Sequence, residues 1–146
     1  MFILEWSQQF SVGIDIIDRE HKVLFELYNE LHYSILRGET HAFTAEKLSR
    51  LLQYTREHFG EEERLMAECG YPKLEDHCAS HRVLTGQVEE MMAELERNQM
   101  VVNLPTIQFL NEWITLHILR EDRAYIPWMR QLGEMQAKDS SLAGGD

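Results

Sequence analysis

Cysteine and proline are scarce in this chain, and acidic residues heavily outnumber basic ones. The two cysteines, Cys69 and Cys78, are not spaced as a CxxC pair and are too few for a disulfide framework. Both are expected as reduced, mostly buried thiols. Three prolines and eight glycines among 146 residues leave too little punctuation for an all-β fold and suit long helices. A net charge of −11 excludes the basic patches that nucleic acids or anionic membranes require. No apolar run approaches the roughly 18 residues of a membrane span. The start, Met1 to Trp6, lacks a basic region, and its apolar stretch is too short for a signal peptide. A single-domain, soluble, cytoplasmic protein is therefore expected.

What is present is helical periodicity. Residues 1 to about 17 alternate weakly, contain Gly13 and read as an extended arm. Helix one is expected from about Asp18 to Arg37, stopped by Gly38, with the stripe His21, Leu24, Phe25, Tyr28, Leu31, Ile35. Helix two is expected from Thr44, as N-cap, to Cys69, with Gly70-Tyr71-Pro72 as the break. Its stripe is Leu48, Leu51, Leu52, Thr55, His58, Phe59, Glu62, Leu65, Met66. Helix three runs from about Lys73 to Arg97 through Leu74, His77, His81, Leu84, Val88, Met91 and Leu95. Helix four starts at Pro105, a favoured first position, and continues Ile107, Leu110, Ile114, His117. Steps of three and four residues throughout, with short connections, predict an all-α fold. The expected form is an antiparallel up-down-up-down four-helix bundle, one domain over 1–138, with a frayed tail at 139–146.

The informative feature is which residues occupy the stripes. Five of the seven histidines, His21, His58, His77, His81 and His117, fall on apolar faces, as does Glu62. The other two, His32 beside the first stripe and His41 in a loop, read as structural or exposed. An imidazole buried without a partner costs on the order of 1–3 kcal/mol, and an unpaired carboxylate costs more. A metal supplies the missing partner for all at once. His58-x-x-x-Glu62 and His77-x-x-x-His81 each aim two donors from one helix face. Five imidazoles and a carboxylate exceed the four ligands of a structural zinc site and suit two ions sharing bridging acids. Nitrogen and oxygen donors without thiolate fit iron best among abundant redox metals.

Four stretches carry a resemblance: "GIDIIDREH" (13–21), "HFGEEERLM" (58–66), "GYPKLEDHCASH" (70–81) and "WITLHILRED" (113–122). The chain resembles the hemerythrin family, specifically its single-domain bacterial members. The resemblance implies a non-haem di-iron centre that binds O₂ reversibly, as a carrier, store or deliverer rather than an enzyme. It implies that His77, His81 and His117 hold one iron and His21 and His58 the other. Glu62 and Asp122 would bridge them beside an oxo or hydroxo group. Phe25, Phe59 and Ile114 are expected around the O₂ pocket. At Ile114 the family more often has leucine, and the stiffer β-branched side chain is expected to alter access or autoxidation. Glu20, where relatives often carry glutamine, is expected on the solvated surface. A monomer is expected. The alternatives are an oxygen or redox sensor working through a separate partner, or a di-iron enzyme handling peroxide or nitric oxide.

His117 and Asp122 are five residues apart, which on a regular helix turns them about 140° away from each other. The stripe slips by one residue there and resumes at Asp122, Tyr125, Ile126 and Met129. A π-bulge, of the kind that gathers at functional sites, or a kink is therefore expected between His117 and Pro127. Glu121 is then expected to point to solvent.

Overall fold

The computed structural model describes residues 3–97 and 103–132. The expected tail at 139–146 and the boundary at 138 lie outside them. Among the described residues there are four long helices and no strand: α1 (Asp15–Leu36), α2 (His41–Glu68), α3 (Leu74–Glu96) and α4 (Leu104–Leu116). They form the expected up-down-up-down bundle, with α1 packed on both α2 and α4, and α2 on α3. No described helix is long and apolar enough to cross a membrane.

The helix starts show what local chemistry adds to periodicity. α1 begins at Asp15, three residues before the expected Asp18, because Asp18 does not cap it. Its carboxylate instead accepts the Ser11 hydroxyl at 2.6 Å and the Val12 N–H at 2.9 Å. Gly13, with φ of 78°, turns the chain between them, a conformation other residues adopt at a cost. α2 is capped by Thr40, whose hydroxyl accepts from Phe43 N–H at 3.3 Å. The expected cap, Thr44, lies one turn inside the helix, buried and hydrogen-bonded to Ser34 at 3.0 Å. His41 accordingly opens α2 rather than sitting in a loop, and its Nε2 meets the Leu95 carbonyl at 2.8 Å. Asn103 caps α4, with Pro105 in the first turn.

The N-terminal arm is extended but firmly attached. Leu4, Phe10 and Val12 are buried, a short 3₁₀ turn spans Gln8–Phe10, and the Asn29 amide brackets the Leu4 backbone with two bonds of 2.9 Å.

Most stripe residues are buried, in two apolar clusters, with Ile35, Leu74, Met91 and Ile126 only partly so. The larger runs through the bundle and includes Leu24, Leu31, Leu48, Leu95, Ile107 and Ile114. The smaller comprises Val12, Ile17, Leu65, Met66, Tyr71, Tyr125 and Met129. Each fully buried aliphatic side chain contributes roughly 1.5–3 kcal/mol. His21 lies between Ile17 and Leu24, Glu62 between Phe59 and Leu65, and Asp122 between Ile118 and Tyr125, each pair spanning the two clusters.

The expected distortion is present. After Leu116 the chain winds into a π-helical turn over His117–Asp122, then a 3₁₀ turn over Arg123–Tyr125, before α-helix resumes at 126–132. Pro127 has no N–H to give the Arg123 carbonyl, so a regular ladder could not have run through this region.

Candidate metal centre

His21, His58, Glu62, His77, His81, His117 and Asp122 come together in one layer across the bundle, none more than 5% exposed. They form two groups of donor atoms, each within 4.8 Å of one another. One contains His77, His81 and His117; the other contains His21 and His58; Glu62 and Asp122 belong to both. Each carboxylate offers one oxygen to each group. Glu62 Oε1 lies 2.9 Å from His77 Nε2 and 3.1 Å from His81 Nε2, while Oε2 lies 3.1 Å from His58 Nε2. Asp122 Oδ1 lies 3.0 Å from His77 Nε2 and 2.9 Å from His117 Nε2, while Oδ2 lies 3.1 Å from His21 Nε2. The wide turn brings Asp122 to this layer, onto the face of His117.

Only His77 Nε2 and Glu62 Oε1 among these pairs are aligned as a hydrogen bond. Both Asp122 oxygens and both His21 ring nitrogens are buried with no aligned protein partner. The Nε2 atoms of His77 and His117 are 3.2 Å apart, and those of His81 and His117 are 3.1 Å apart. Two imidazole lone pairs at that distance repel unless a cation sits between them. A metal with bonds of about 2.1 Å in octahedral geometry has ligand-to-ligand edges of about 3.0 Å. The donor spacing fits that edge, and the imidazole and carboxylate chemistry fits a first-row metal such as iron. This buried cluster is able to hold metal.

Protons show the same demand for positive charge in the metal-free chain. Burial alone would lower the His58 pKa, but hydrogen bonds to Glu20 and Glu62 outweigh it and raise it to about 9. Burial likewise opposes, and Asp122 and Glu62 overcome, at His77, also raised to about 9. His21 and His117 are raised against burial in the same way. Burial would raise the carboxyls of Glu62 and Asp122, yet the histidines hold both below the ordinary carboxylate range. Metal entering this layer must therefore displace protons.

Two expectations are corrected here. Glu20 does not lie on the solvated surface: from α1 its carboxylate accepts the His58 Nδ1–H of α2 at 2.8 Å, with the Glu20 side chain 21% exposed. Glu121 does not point freely to solvent: it accepts from His117 Nδ1 and from the Ser80 hydroxyl, the latter at 2.8 Å. Glu63, unremarked in the sequence, holds His81 Nδ1 at 2.9 Å. Glu121 was findable, since it stands four residues after His117. Glu20 and Glu63 reach across helices, which spacing within one helix does not show. Tyr125, expected on the resumed stripe, donates its hydroxyl to Glu62 Oε2 at 3.2 Å.

A small apolar cavity of ≈ 20 Å³ abuts the layer, lined by His21, His58, His117 and Asp122 and by Phe59, Leu84, Ile114 and Ile118 among the apolar residues. That is room for one molecule of the size of water or dioxygen. Phe59 stacks on His81 with ring centres 3.7 Å apart, and Trp113 stacks on His117 at 4.4 Å. Phe25 is not among the described residues lining the cavity; it packs with Trp6 and Phe10 at 5.6 and 5.0 Å. Cys69 and Cys78 are free and half-buried rather than fully buried.

Residues 12–129 match the family model of the hemerythrin HHE cation binding domain. A bacteriohemerythrin of Clostridium acetobutylicum is 35% identical, covering 86% of this chain and 99% of its own length. One from Pseudomonas aeruginosa is 31% identical over 97% of this chain and 91% of its own. The myohemerythrin of Riftia pachyptila is 28% identical over 82% and 88%. A crystal structure of wild-type hemerythrin superposes with a TM-score of 0.83 at 27% identity, covering 87% of this chain and 98% of that one.

Proposed function

Since the chain belongs to the hemerythrin family, we propose that it binds O₂ reversibly at a non-haem di-iron centre and serves as an oxygen carrier or store. In this reading His77, His81 and His117 hold one iron, His21 and His58 hold the other, and Glu62 and Asp122 bridge them. The observation that carries it is the division of oxygens: both buried acids present one oxygen to each histidine group. A di-iron pair supplies, when bound, two electrons and an open coordination position for O₂.

The chain's own residues account for the rest. The two-histidine group has the fewer protein donors, and both its histidines line the apolar cavity, against His117 alone of the other three. Phe59, Leu84, Ile114 and Ile118 keep bulk water from that space. Thr55 also lines it, but its hydroxyl is committed to the Leu51 carbonyl at 2.7 Å. Apart from the ligand residues, no described side chain on the cavity wall carries a proton to deliver, which favours binding over O–O cleavage. One copy of the chain holds all seven residues, so the reading needs no second copy.

The test is the optical spectrum of iron-loaded protein with two irons per chain, taken under argon, then air, then argon. A visible charge-transfer band that appears in air and fades in argon supports the proposal. Irreversible oxidation, or turnover with an added reductant, favours an enzyme. Retention of zinc in preference to iron ends the O₂ reading.

A further inference from the structure

Three glutamates outside the metal layer, Glu20, Glu63 and Glu121, hold the Nδ1 atoms of His58, His81 and His117. His21 and His77 have no such carboxylate among the described residues. In each pair the carboxylate can only accept, so Nδ1 carries the proton and Nε2 faces the layer with its lone pair. We propose that these glutamates act as redox-positioning residues: their charge, delivered through the imidazoles, lowers the potential of the iron pair unequally on its two sides. The inference rests on the di-iron reading above.

A carboxylate hydrogen-bonded to a ligating imidazole raises the ring's basicity and gives it partial imidazolate character. Such charge favours the more positive, oxidised metal. The inner layer holds only two acids, but the outer glutamates add three further negative charges one ring away. The side of His77, His81 and His117 has two of them, Glu63 and Glu121. The side of His21 and His58 has one, Glu20. Glu20 is the most sheltered, 21% exposed against 35% and 41% for Glu63 and Glu121, so its charge is the least screened by water. Ser80 donates to Glu121 and fixes its direction.

This distribution assigns the two one-electron steps. The three-histidine iron, with two outer charges, is the easier to oxidise and the last to be reduced. Electrons added one at a time go first to the two-histidine iron. Charge on Glu20 therefore weighs mainly on the first reduction, and charge on Glu63 and Glu121 mainly on the second.

The experiment compares Glu20→Gln, Glu63→Gln and Glu121→Gln with the three matching alanine variants in iron-loaded protein. Both one-electron potentials are read by spectroelectrochemistry. Iron content and the reversible O₂ band of the wild type are measured alongside, so failure of the di-iron reading shows there and not in the variants. Glutamine can still accept from Nδ1 but carries no charge. Each glutamine variant is expected to move its own step upward by about 59 mV for one electron, a tenfold rise in the reduced-to-oxidised ratio at fixed solution potential. Zinc(II) affinity, measured by chelator competition, is expected to fall roughly 10–100-fold in the alanine variants and less in the glutamine ones. If the glutamine variants keep both wild-type potentials while the alanine variants lose them, the glutamates only orient the rings and the proposal is overturned. A uniform shift of both steps by all three variants overturns the assignment to sides.

Discussion

The two apolar clusters are built differently. The larger is drawn from all four helices and is continuous down the bundle. The smaller is assembled from pieces: the arm at Val12, the first turn of α1 at Ile17, the last turns of α2, Tyr71 in a loop, and Tyr125 and Met129 beyond the wide turn. Seven polar side chains separate them. The larger cluster can stand on hydrophobic burial. The smaller joins the bundle across a layer of closely spaced imidazoles and carboxylates, in which both Asp122 oxygens and both His21 ring nitrogens lack an aligned partner. The difference teaches that the smaller cluster is joined to the bundle through a polar layer able to hold metal, rather than through apolar contact alone.

The hardest blow to that arrangement is loss of a shared acid. Glu62→Ala or Asp122→Ala leaves buried histidines without their partner, and removing one member of a buried pair costs about 3–5 kcal/mol. Denaturant unfolding of the metal-free variants is expected to show this loss, and metal analysis to show fewer than two ions per chain. Wild-type stability in either variant would mean the layer does not link the two clusters.

Metal removal separates the clusters more gently. Chelated protein examined by hydrogen exchange should lose protection first at Ile17, Leu65, Met66 and the segment 123–132. Amides around Leu31, Leu48 and Leu95 should hold theirs. Equal loss at both ends would remove the distinction.

pH sharpens it further. His58 and His77, raised from 6.5 to about 9 in the metal-free chain, stabilise it fully below pH 6.5, and that contribution is lost as pH rises through about 9. The Tm of metal-free protein should fall over this range, by more than about 5 °C. Metal requires the deprotonated rings, so the metal-loaded protein should not fall with it. Parallel pH curves would contradict the ion pairing described here.

The smallest effect is expected at Ile114, which sits where the larger cluster meets the cavity. Ile114→Leu conserves volume and should cost under about 1.5 kcal/mol. It should nonetheless change the autoxidation rate of iron-loaded protein. An unchanged rate of both autoxidation and O₂ release would remove Ile114 from the gas path.

Most of the bundle was legible in the sequence because burial repeats with the helix: every stripe residue proposed for α2 is buried. The five histidines and Glu62 were legible for the same reason, as polar side chains in apolar positions. Asp122 was reached through the slip in the stripe, which the π turn bears out. The start of α1 lies three residues before the expected one because no side chain caps it and so no capping residue marks it in the sequence. Glu20 and Glu63 were not legible because their partners lie on neighbouring helices, and the two-residue range of a flank carries no period. Phe25 shares a stripe with His21 but faces the aromatic pair of the arm, a choice made by tertiary packing.

The wide turn has one more consequence. It adds a residue where the helix would have used fewer, and so works like a shift of phase in a periodic signal. Winding the same residues as regular α-helix would leave the composition intact while rotating everything after the turn by about 100°. Asp122, Tyr125 and Met129 would sweep out of the interior together, and the arm and the end of α2 would lose what they pack against. The last stretch of this chain thus depends on a count as much as on a code: the number of residues between His117 and Asp122 sets the angle at which every later side chain arrives.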